Sequence, residues 1–218
     1  MQTFATTTNW IVIAGVVILL SVILTSWLAS HRAPKATPVV SGDWFFTLPV
    51  WAQIVSGLGA CVLFAYLGYL LWIPLPLAIS SSAEAILRMI GLAFFIVGWV
   101  LVLWARWTLG ALYGVSTSFA APLQARHRLI QHGPYVFIRH PMYLGYWLLL
   151  LGLTLIYRTW TPLLFLIMCL ASFYRRAQRE EKALAENFAA EWRAYAARVP
   201  MFVPRQTLGV KRTRGGKD

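Results

Sequence analysis

The sequence carries little charge for its length. Only 12% of its 218 residues are charged, 59% are hydrophobic, and the mean hydropathy is +0.65. A soluble domain usually has about twice that charged fraction, so an ordinary soluble globular fold is excluded. The long uncharged runs instead predict an integral membrane protein.

Cysteine and metal-ligand patterns are also scarce. Cys61 and Cys169 both lie inside apolar runs, so we expect two packing residues and no disulfide framework. His127, His132 and His140 are near one another in sequence, but their spacings match no zinc pattern and no cysteine or aspartate joins them. The sequence therefore predicts no metal site.

Acidic residues are few, and the excess of cations is concentrated at one end. The chain has 19 Lys and Arg against 7 Asp and Glu, a net charge of +12, and 11 of the cations follow residue 172. A basic tail after an apolar segment indicates contact with an anionic membrane surface. No nucleic-acid-binding motif accompanies it, so we expect membrane lipids and no nucleic acid as partners.

Apolar runs set the predicted architecture. Three runs, at residues 10–29, 50–72 and 86–109, approach the ~20 residues that a membrane-crossing helix needs. Two shorter runs, at 142–157 and 160–174, are separated by Arg158, Thr159 and Pro162 and predict a helical hairpin. The expected fold is an all-α polytopic membrane bundle of about five transmembrane helices, including this C-terminal hairpin, followed by a cytoplasmic amphipathic helix.

The distribution of cations predicts the orientation of these helices. With the N-terminus outside, the inner loops receive Arg32, Lys35, Arg126, Arg128, Arg139 and the basic tail. The C-terminus and the active site are then cytoplasmic. The domain organisation that follows is three N-terminal helices at 1–109, a catalytic region at 110–204 and a disordered basic tail at 205–218.

The junction before the fourth apolar run carries the first candidate site. Proline restricts the preceding residue to extended geometry and suits the first helical position, so His140 should end a loop and Pro141 should begin a helix. The free N–H groups of that helix, beside Arg139, suit an anionic ligand. Simple anchoring of Arg139 and His140 among lipid headgroups is an equally acceptable interpretation.

The segment after the fifth run predicts an amphipathic helix with one misplaced acid. At about 100° per residue, a single stripe contains the residues Ala177, Leu184, Phe188, Trp192, Tyr195 and Val199. The opposite, wet face contains Arg175, Lys182, Glu186 and Arg193. Glu181 falls inside the apolar stripe, at about 60° from Leu184. A carboxylate aimed at packed apolar surface is costly unless it is paired or used.

Arg176 and Glu180 lie at the edge of the same stripe and are four residues apart, so they can meet on the helix. A tolerated surface ion pair would explain them without any function. The choice of Arg176 over Arg175 as the inward-facing arginine depends on the helical phase.

These residues together resemble a known family. His127-Arg128-Leu129-Ile130, Gly133-Pro134-Tyr135 and Arg139-His140-Pro141-Met142-Tyr143-Leu144-Gly145 are followed about 35 residues later by Glu180-Glu181, and then by Phe188, Tyr195, Val199 and Pro200. The pattern, over roughly residues 105 to 204, resembles the isoprenylcysteine carboxyl methyltransferases and the related phospholipid N-methyltransferases.

The resemblance implies a membrane-embedded enzyme that uses S-adenosylmethionine. It implies a cofactor site formed by His127, Leu129, Ile130, Tyr135, Arg139, His140, Tyr143 and Glu180. It also implies that Arg176 and Glu181 are the catalytic residues facing the methyl acceptor, with Arg176 orienting a carboxylate or Glu181 acting as base for an amine.

The predicted function is methylation of a lipophilic or prenylated acceptor, with carboxyl methylation of an isoprenylcysteine-like acid ahead of N-methylation of a phosphatidylethanolamine-type lipid. Two other classes compete with it. A non-catalytic membrane scaffold would account for the basic tail, and a membrane reductase would share a similar C-terminal half. The reductase lacks a nicotinamide signature in this sequence.

Overall fold

The computed structural model describes residues 2–32, 48–110 and 129–203. These ranges form five α-helices and a short 3₁₀ turn, without a strand. The helices are α1 (Gln2–Arg32), α2 (Val50–Leu70), α3 (Ser81–Leu109), α4 (Pro141–Tyr157) and α5 (Trp160–Arg198), and the 3₁₀ turn is Gly133–Val136. The predicted all-helical bundle is confirmed.

Three of the described helices are long and apolar enough to cross a membrane. Their candidate spans are Thr3–Ser26, Trp51–Leu70 and Ser81–Leu109, and α4 is a shorter apolar helix. The three long runs predicted from sequence each lie in one of these helices, although α1 begins at Gln2 rather than at residue 10. This architecture fits an integral membrane protein.

Glycines bring α3 and α4 into close contact. A Cβ on Gly98 would stand 2.6 Å from Gly145 O, and one on Gly91 would stand 2.8 Å from Gly152 O. The glycines are seven residues apart on each helix, so the antiparallel helices form two matched pairs. Small residues of this kind let membrane helices approach through their backbones. This glycine seam makes α3 and α4 the rigid centre of the bundle.

The buried core extends from this seam. Phe95 and Val102 on α3, Leu149 and Ile156 on α4, and Val12 on α1 form one buried apolar cluster. Trp99 Nε1 donates to Gly15 O at 3.0 Å, which ties α1 to α3 through a backbone carbonyl. The core therefore contains α1, α3 and α4, whereas most residues of α2 are exposed.

The second helix of the hairpin continues directly into the amphipathic helix. Together they form α5, which passes through residue 174 without interruption and is divided by a kink at Ala189, whose backbone is not helical (φ 38°, ψ −102°). The sequence changes polarity after Tyr174, but between Leu163 and Arg198 it contains neither proline nor glycine. A change of polarity does not end a helix that lacks a breaker.

One loop contact positions the candidate site against α3. Gly133 has a φ of 62°, and a Cβ there would stand 2.5 Å from Thr108 Oγ1 in the last turn of α3. Only glycine combines this conformation with so close an approach. The 3₁₀ turn is thereby held at the C-terminal end of α3. The predicted cofactor residue His127 and the predicted tail at 205–218 lie outside the described residues.

Candidate functional site

The junction between loop and helix is as predicted. His140 is the N-cap of α4, Pro141 is its first residue, and Leu144 N donates to His140 O at 3.2 Å. The chain that follows α5 returns to this junction: Arg139 N donates to Pro200 O at 2.9 Å and His140 N to Met201 O at 3.1 Å. The start of α4 is therefore fixed to the segment after α5.

The predicted apolar stripe of α5 is confirmed. Ala177, Trp192, Tyr195 and Val199 are buried, and Leu184 and Phe188 are partly buried. The four predicted wet-face residues, Arg175, Lys182, Glu186 and Arg193, are exposed.

Glu181 lies on the inward side of α5, as the stripe predicted, and there it faces the junction. Its side chain is 22% exposed, and its Oε1 is 2.8 Å from Arg139 Nε and 3.2 Å from His140 Nε2. Burial alone would raise the pKa of Glu181, but the hydrogen bond from His140 and the charge of Arg139 outweigh burial and lower it below 4.5. Glu181 is therefore ionised at neutral pH.

Glu180 lies near the other ring nitrogen of His140. Its Oε1 accepts from the Tyr143 hydroxyl and from Arg176 Nε at 3.0 Å, and its Oε2 is 3.6 Å from His140 Nδ1. Its side chain is 33% exposed, against 22% for Glu181 and 7% for His140. The site thus consists of an almost buried imidazole between two carboxylates, and Glu180 is the more accessible acid.

The arginines of the site differ in their roles. Arg139 Nη1 donates to Ala196 O at 2.8 Å and to Val199 O at 3.0 Å, so it satisfies carbonyls at the C-terminal end of α5. Its guanidinium also lies 5.5 Å from the centre of the Trp192 ring. Arg139 therefore has a structural role. Of Arg175 and Arg176, Arg176 is the inward-facing arginine, with a side chain that is 12% exposed.

The other predicted cofactor residues lie around this centre. Tyr195 donates its hydroxyl to Tyr135 O at 2.7 Å, which joins the 3₁₀ turn to α5. Burial raises the pKa of Tyr195 to about 12, so it remains a donor at any physiological pH. Leu129 packs against the cluster of Trp192 and Tyr195, and Ile130 is partly buried.

An aromatic group that the sequence analysis missed surrounds the junction. Phe202 packs against Trp147 (ring centroids 4.5 Å apart), His140 (5.6 Å) and Tyr174 (6.2 Å). Phe173 stacks on Tyr143 at 5.1 Å. These residues come from α4, α5 and the segment after α5, so only the fold brings them together.

An apolar crevice adjoins these rings within the bundle. Its volume is about 160 Å³, and its lining comes from α1, α3, α4 and α5, including Gly15, Phe95, Trp99, Tyr146, Leu149 and Phe173. Phe173 also contacts Tyr143, which donates to Glu180. The side chains of Phe173 and Tyr143 therefore separate the crevice from the carboxylate of Glu180.

The comparison with known families gives one match. Residues 86–191 match the family model described as phospholipid methyltransferase. No curated protein matches the chain. The matched region begins in α3 and ends in α5, so it includes Arg139, His140, Arg176 and both glutamates of the site.

This match supports a membrane methyltransferase. It supports the wider resemblance inferred from the motifs, and its description favours the phospholipid branch. The narrower prediction, an isoprenylcysteine carboxyl methyltransferase, stays a prediction. The individual roles of the predicted site residues also stay predictions.

Proposed function

We propose that this protein transfers a methyl group from S-adenosylmethionine to a lipid acceptor, and that the acceptor is the amine of a phospholipid headgroup. The observation that carries the proposal is the convergence of Glu180 and Glu181 on His140 at the start of α4. The similarity of residues 86–191 to phospholipid methyltransferases supports the same reaction class.

The residues at this centre suit a cationic methyl donor. Glu180 offers a partly exposed carboxylate, and the stacked rings of His140, Tyr143 and Phe173 lie beside it. Carboxylates and aromatic faces both attract organic cations. We propose that seven of the described residues hold the donor: Leu129, Ile130, Tyr135, Arg139, His140, Tyr143 and Glu180. Arg139 does so indirectly, because its bonds to the end of α5 keep the surrounding residues in place.

When bound, the donor supplies a sulfonium methyl that is already activated for displacement. The protein therefore has to align the acceptor and exclude water. The glycine seam and the two backbone bonds from the start of α4 to Pro200 and Met201 hold the site rigidly. Phe202 covers His140 from the side of the segment after α5.

An amine acceptor must lose a proton before it attacks. Glu181 has a lowered pKa and is bound by Arg139 and His140, so it is a weak base and serves better to hold the imidazole. We propose that Glu180, the more exposed acid, faces the positive charge of the donor. The acceptor ammonium then gives its proton to His140 Nδ1, which lies 3.6 Å from Glu180 Oε2.

We propose that the apolar crevice receives part of one acyl chain of the acceptor. Its lining is almost wholly apolar, and Phe173 links it to Tyr143 and Glu180. A chain in this crevice would bring its headgroup to the carboxylates from within the membrane. We propose that this end of the bundle is cytoplasmic, in keeping with the cation-rich loops.

Carboxyl methylation is the second candidate, because Arg176 is an inward-facing cation that could orient a carboxylate. An acceptor carboxylate would have to take Arg176 from Glu180, which is 3.0 Å away. It would also approach the carboxyl groups of Glu180 and Glu181. The arrangement therefore favours an amine over a carboxylate.

The test is methyl transfer by the purified full chain in phospholipid vesicles, with a methyl-labelled donor. Phosphatidylethanolamine and a farnesylated cysteine acid are offered separately. We expect label in the lipid fraction that survives mild base, as a methylamine does. Base-labile label on the farnesylated acid would instead establish carboxyl methylation. Transfer to neither acceptor by a folded sample that also fails to bind the donor would contradict the enzyme proposal.

A further inference from the structure

At the end of the bundle opposite the candidate site, the charged side chains lie close together. This end is formed by the starts of α1, α3 and α5 and the ends of α2 and α4. In the sequence segments that form it, at residues 1–12, 66–90 and 153–165, the only charged side chains are Glu84, Arg88 and Arg158. Along α3, Arg88 is about 30 Å from Thr108 at the candidate site.

These three side chains form a cluster with an excess of positive charge. Glu84 Oε1 is 2.6 Å from Arg158 Nη2 and 3.4 Å from Arg88 Nη2. One carboxylate thus serves two guanidinium groups. Glu84 is 39% exposed, whereas Arg88 is 17% and Arg158 is 20% exposed. The cationic excess is therefore the more buried part of the cluster.

Arg158 and its neighbour leave polar atoms without partners. Arg158 Nη1 and Thr159 Oγ1 are buried and have no hydrogen-bond partner among the residues that the structure describes. Thr159 is only 5% exposed. A buried donor without an acceptor costs about 1–3 kcal/mol. Two such atoms on adjacent residues, beside a cationic excess, indicate a ligand that supplies oxygen acceptors.

The backbone holds Arg158 in place for such a ligand. Arg158 ends α4 in the left-handed conformation (φ 49°, ψ 43°), where glycine is the usual residue. The turn is fixed by Leu75 N donating to Arg158 O at 2.7 Å and by Trp160 N donating to Ile73 O at 3.1 Å. The turn thus fixes the backbone of Arg158, and the 2.6 Å contact with Glu84 holds its guanidinium.

We propose that Arg88 and Arg158 bind the phosphate of an anionic phospholipid, to which Arg158 Nη1 donates. Guanidinium geometry matches a phosphate and can donate two parallel hydrogen bonds. The aromatic residues Trp72 and Tyr157, with ring centroids 5.1 Å apart, lie at the same end of the bundle. Tryptophan and tyrosine are typical of the headgroup level of a membrane, so a lipid phosphate is the anion expected at this depth.

The test is lipid binding by the purified full chain in detergent, measured by native mass spectrometry. The probes are dioctanoyl phosphatidylglycerol, dioctanoyl phosphatidylcholine and inorganic phosphate. We expect phosphatidylglycerol to bind about fivefold more tightly than phosphatidylcholine. We expect Arg158→Gln and Arg88→Gln to weaken phosphatidylglycerol binding about tenfold. The matched control Arg175→Gln removes an exposed arginine of the basic C-terminal segment and should weaken phosphatidylglycerol binding less than either of these changes.

Arg88→Gln keeps the experiment decisive if Arg158→Gln fails to fold, because Arg88 has only a 3.4 Å contact with Glu84. Wild-type affinity in Arg88→Gln would overturn the proposal, as would equal binding of the two lipids. Full competition by inorganic phosphate at the concentration of the lipid would assign the site to free phosphate and overturn the lipid proposal. None of these results depends on methyl transfer.

Discussion

The two ends of the bundle pair arginine with glutamate in different proportions. At the candidate site, two acids share a histidine, and each also bonds an arginine: Glu180 with Arg176, and Glu181 with Arg139. At the other end, one acid serves two arginines and a guanidinium nitrogen has no partner. At the first end two acids balance two arginines, so it is the partly exposed carboxylate of Glu180 that is open to a cationic donor or amine. At the second end the surplus of positive charge suits an anion. An ion pair alone therefore does not identify a site; the exposure and the charge balance of its groups must be read as well.

The largest effect should come from removing the acid that holds the histidine. We expect Glu181→Gln to reduce methyl transfer about a hundredfold, because His140 and Arg139 both lose a charged partner. The matched change Glu186→Gln, on the exposed face of α5, should leave transfer within about twofold. Labelled-donor assays on samples with equal thermal unfolding make this comparison, and equal loss in both variants would argue against a specific role for Glu181.

The glycine seam joins the two ends, so a change there should weaken both. We expect Gly98→Ala to lower stability by about 2 kcal/mol, because the new Cβ would overlap Gly145 O. Gly57→Ala is the control, since nothing lies within 4 Å of a Cβ at that position. It should be neutral or slightly stabilising. Denaturant unfolding in detergent measures both, and a tolerated Gly98→Ala would contradict the close approach of α3 and α4.

A smaller effect is expected where the 3₁₀ turn meets α5. Tyr195→Phe removes the hydroxyl that donates to Tyr135 O and should cost about 1 kcal/mol. Tyr174→Phe keeps a ring next to Phe202 and should cost less. The difference between the two unfolding free energies isolates the hydroxyl bond at the candidate site. Indistinguishable costs would mean that the turn is not held through Tyr195.

The smallest change is expected on mild acidification. The folded-state pKa of Glu181 lies below its ordinary value of 4.5, so the stability that ionised Glu181 contributes is fully present above pH 4.5 and is lost as the pH falls through the lower value. Between pH 7 and 5 its contribution should be constant. Thermal unfolding of wild type and Glu181→Gln across this range checks the sign; a Glu181-dependent loss already at pH 6 would show a raised pKa instead.

The sequence predicted those features of the fold that depend on local pattern. Apolar run length identified the helices, and the proline after His140 identified the start of α4. The helical phase of residues 175–199 placed Glu181 on the inward side of the helix, and the structure shows that it contacts His140 there. Each of these inferences needs only a few neighbouring residues.

Other features required contacts between distant segments. The cluster of Glu84 and Arg158 joins residues 74 positions apart, and Phe202 reaches Trp147 only because the chain after α5 bonds to the start of α4. No local pattern contains such pairings. The change of polarity after residue 174 does not mark a helix end, because helix termination depends on capping and breaking residues rather than on polarity.

The most direct measurement is a calorimetric titration of S-adenosylmethionine into the purified, folded chain. We predict saturable binding by wild type, about tenfold weaker binding by Glu180→Gln because a charged contact is lost, and wild-type binding by Glu186→Gln. A folded wild-type sample that takes up no S-adenosylmethionine would contradict the assignment of the centre formed by Glu180, His140 and Glu181 as a methyl-transfer site.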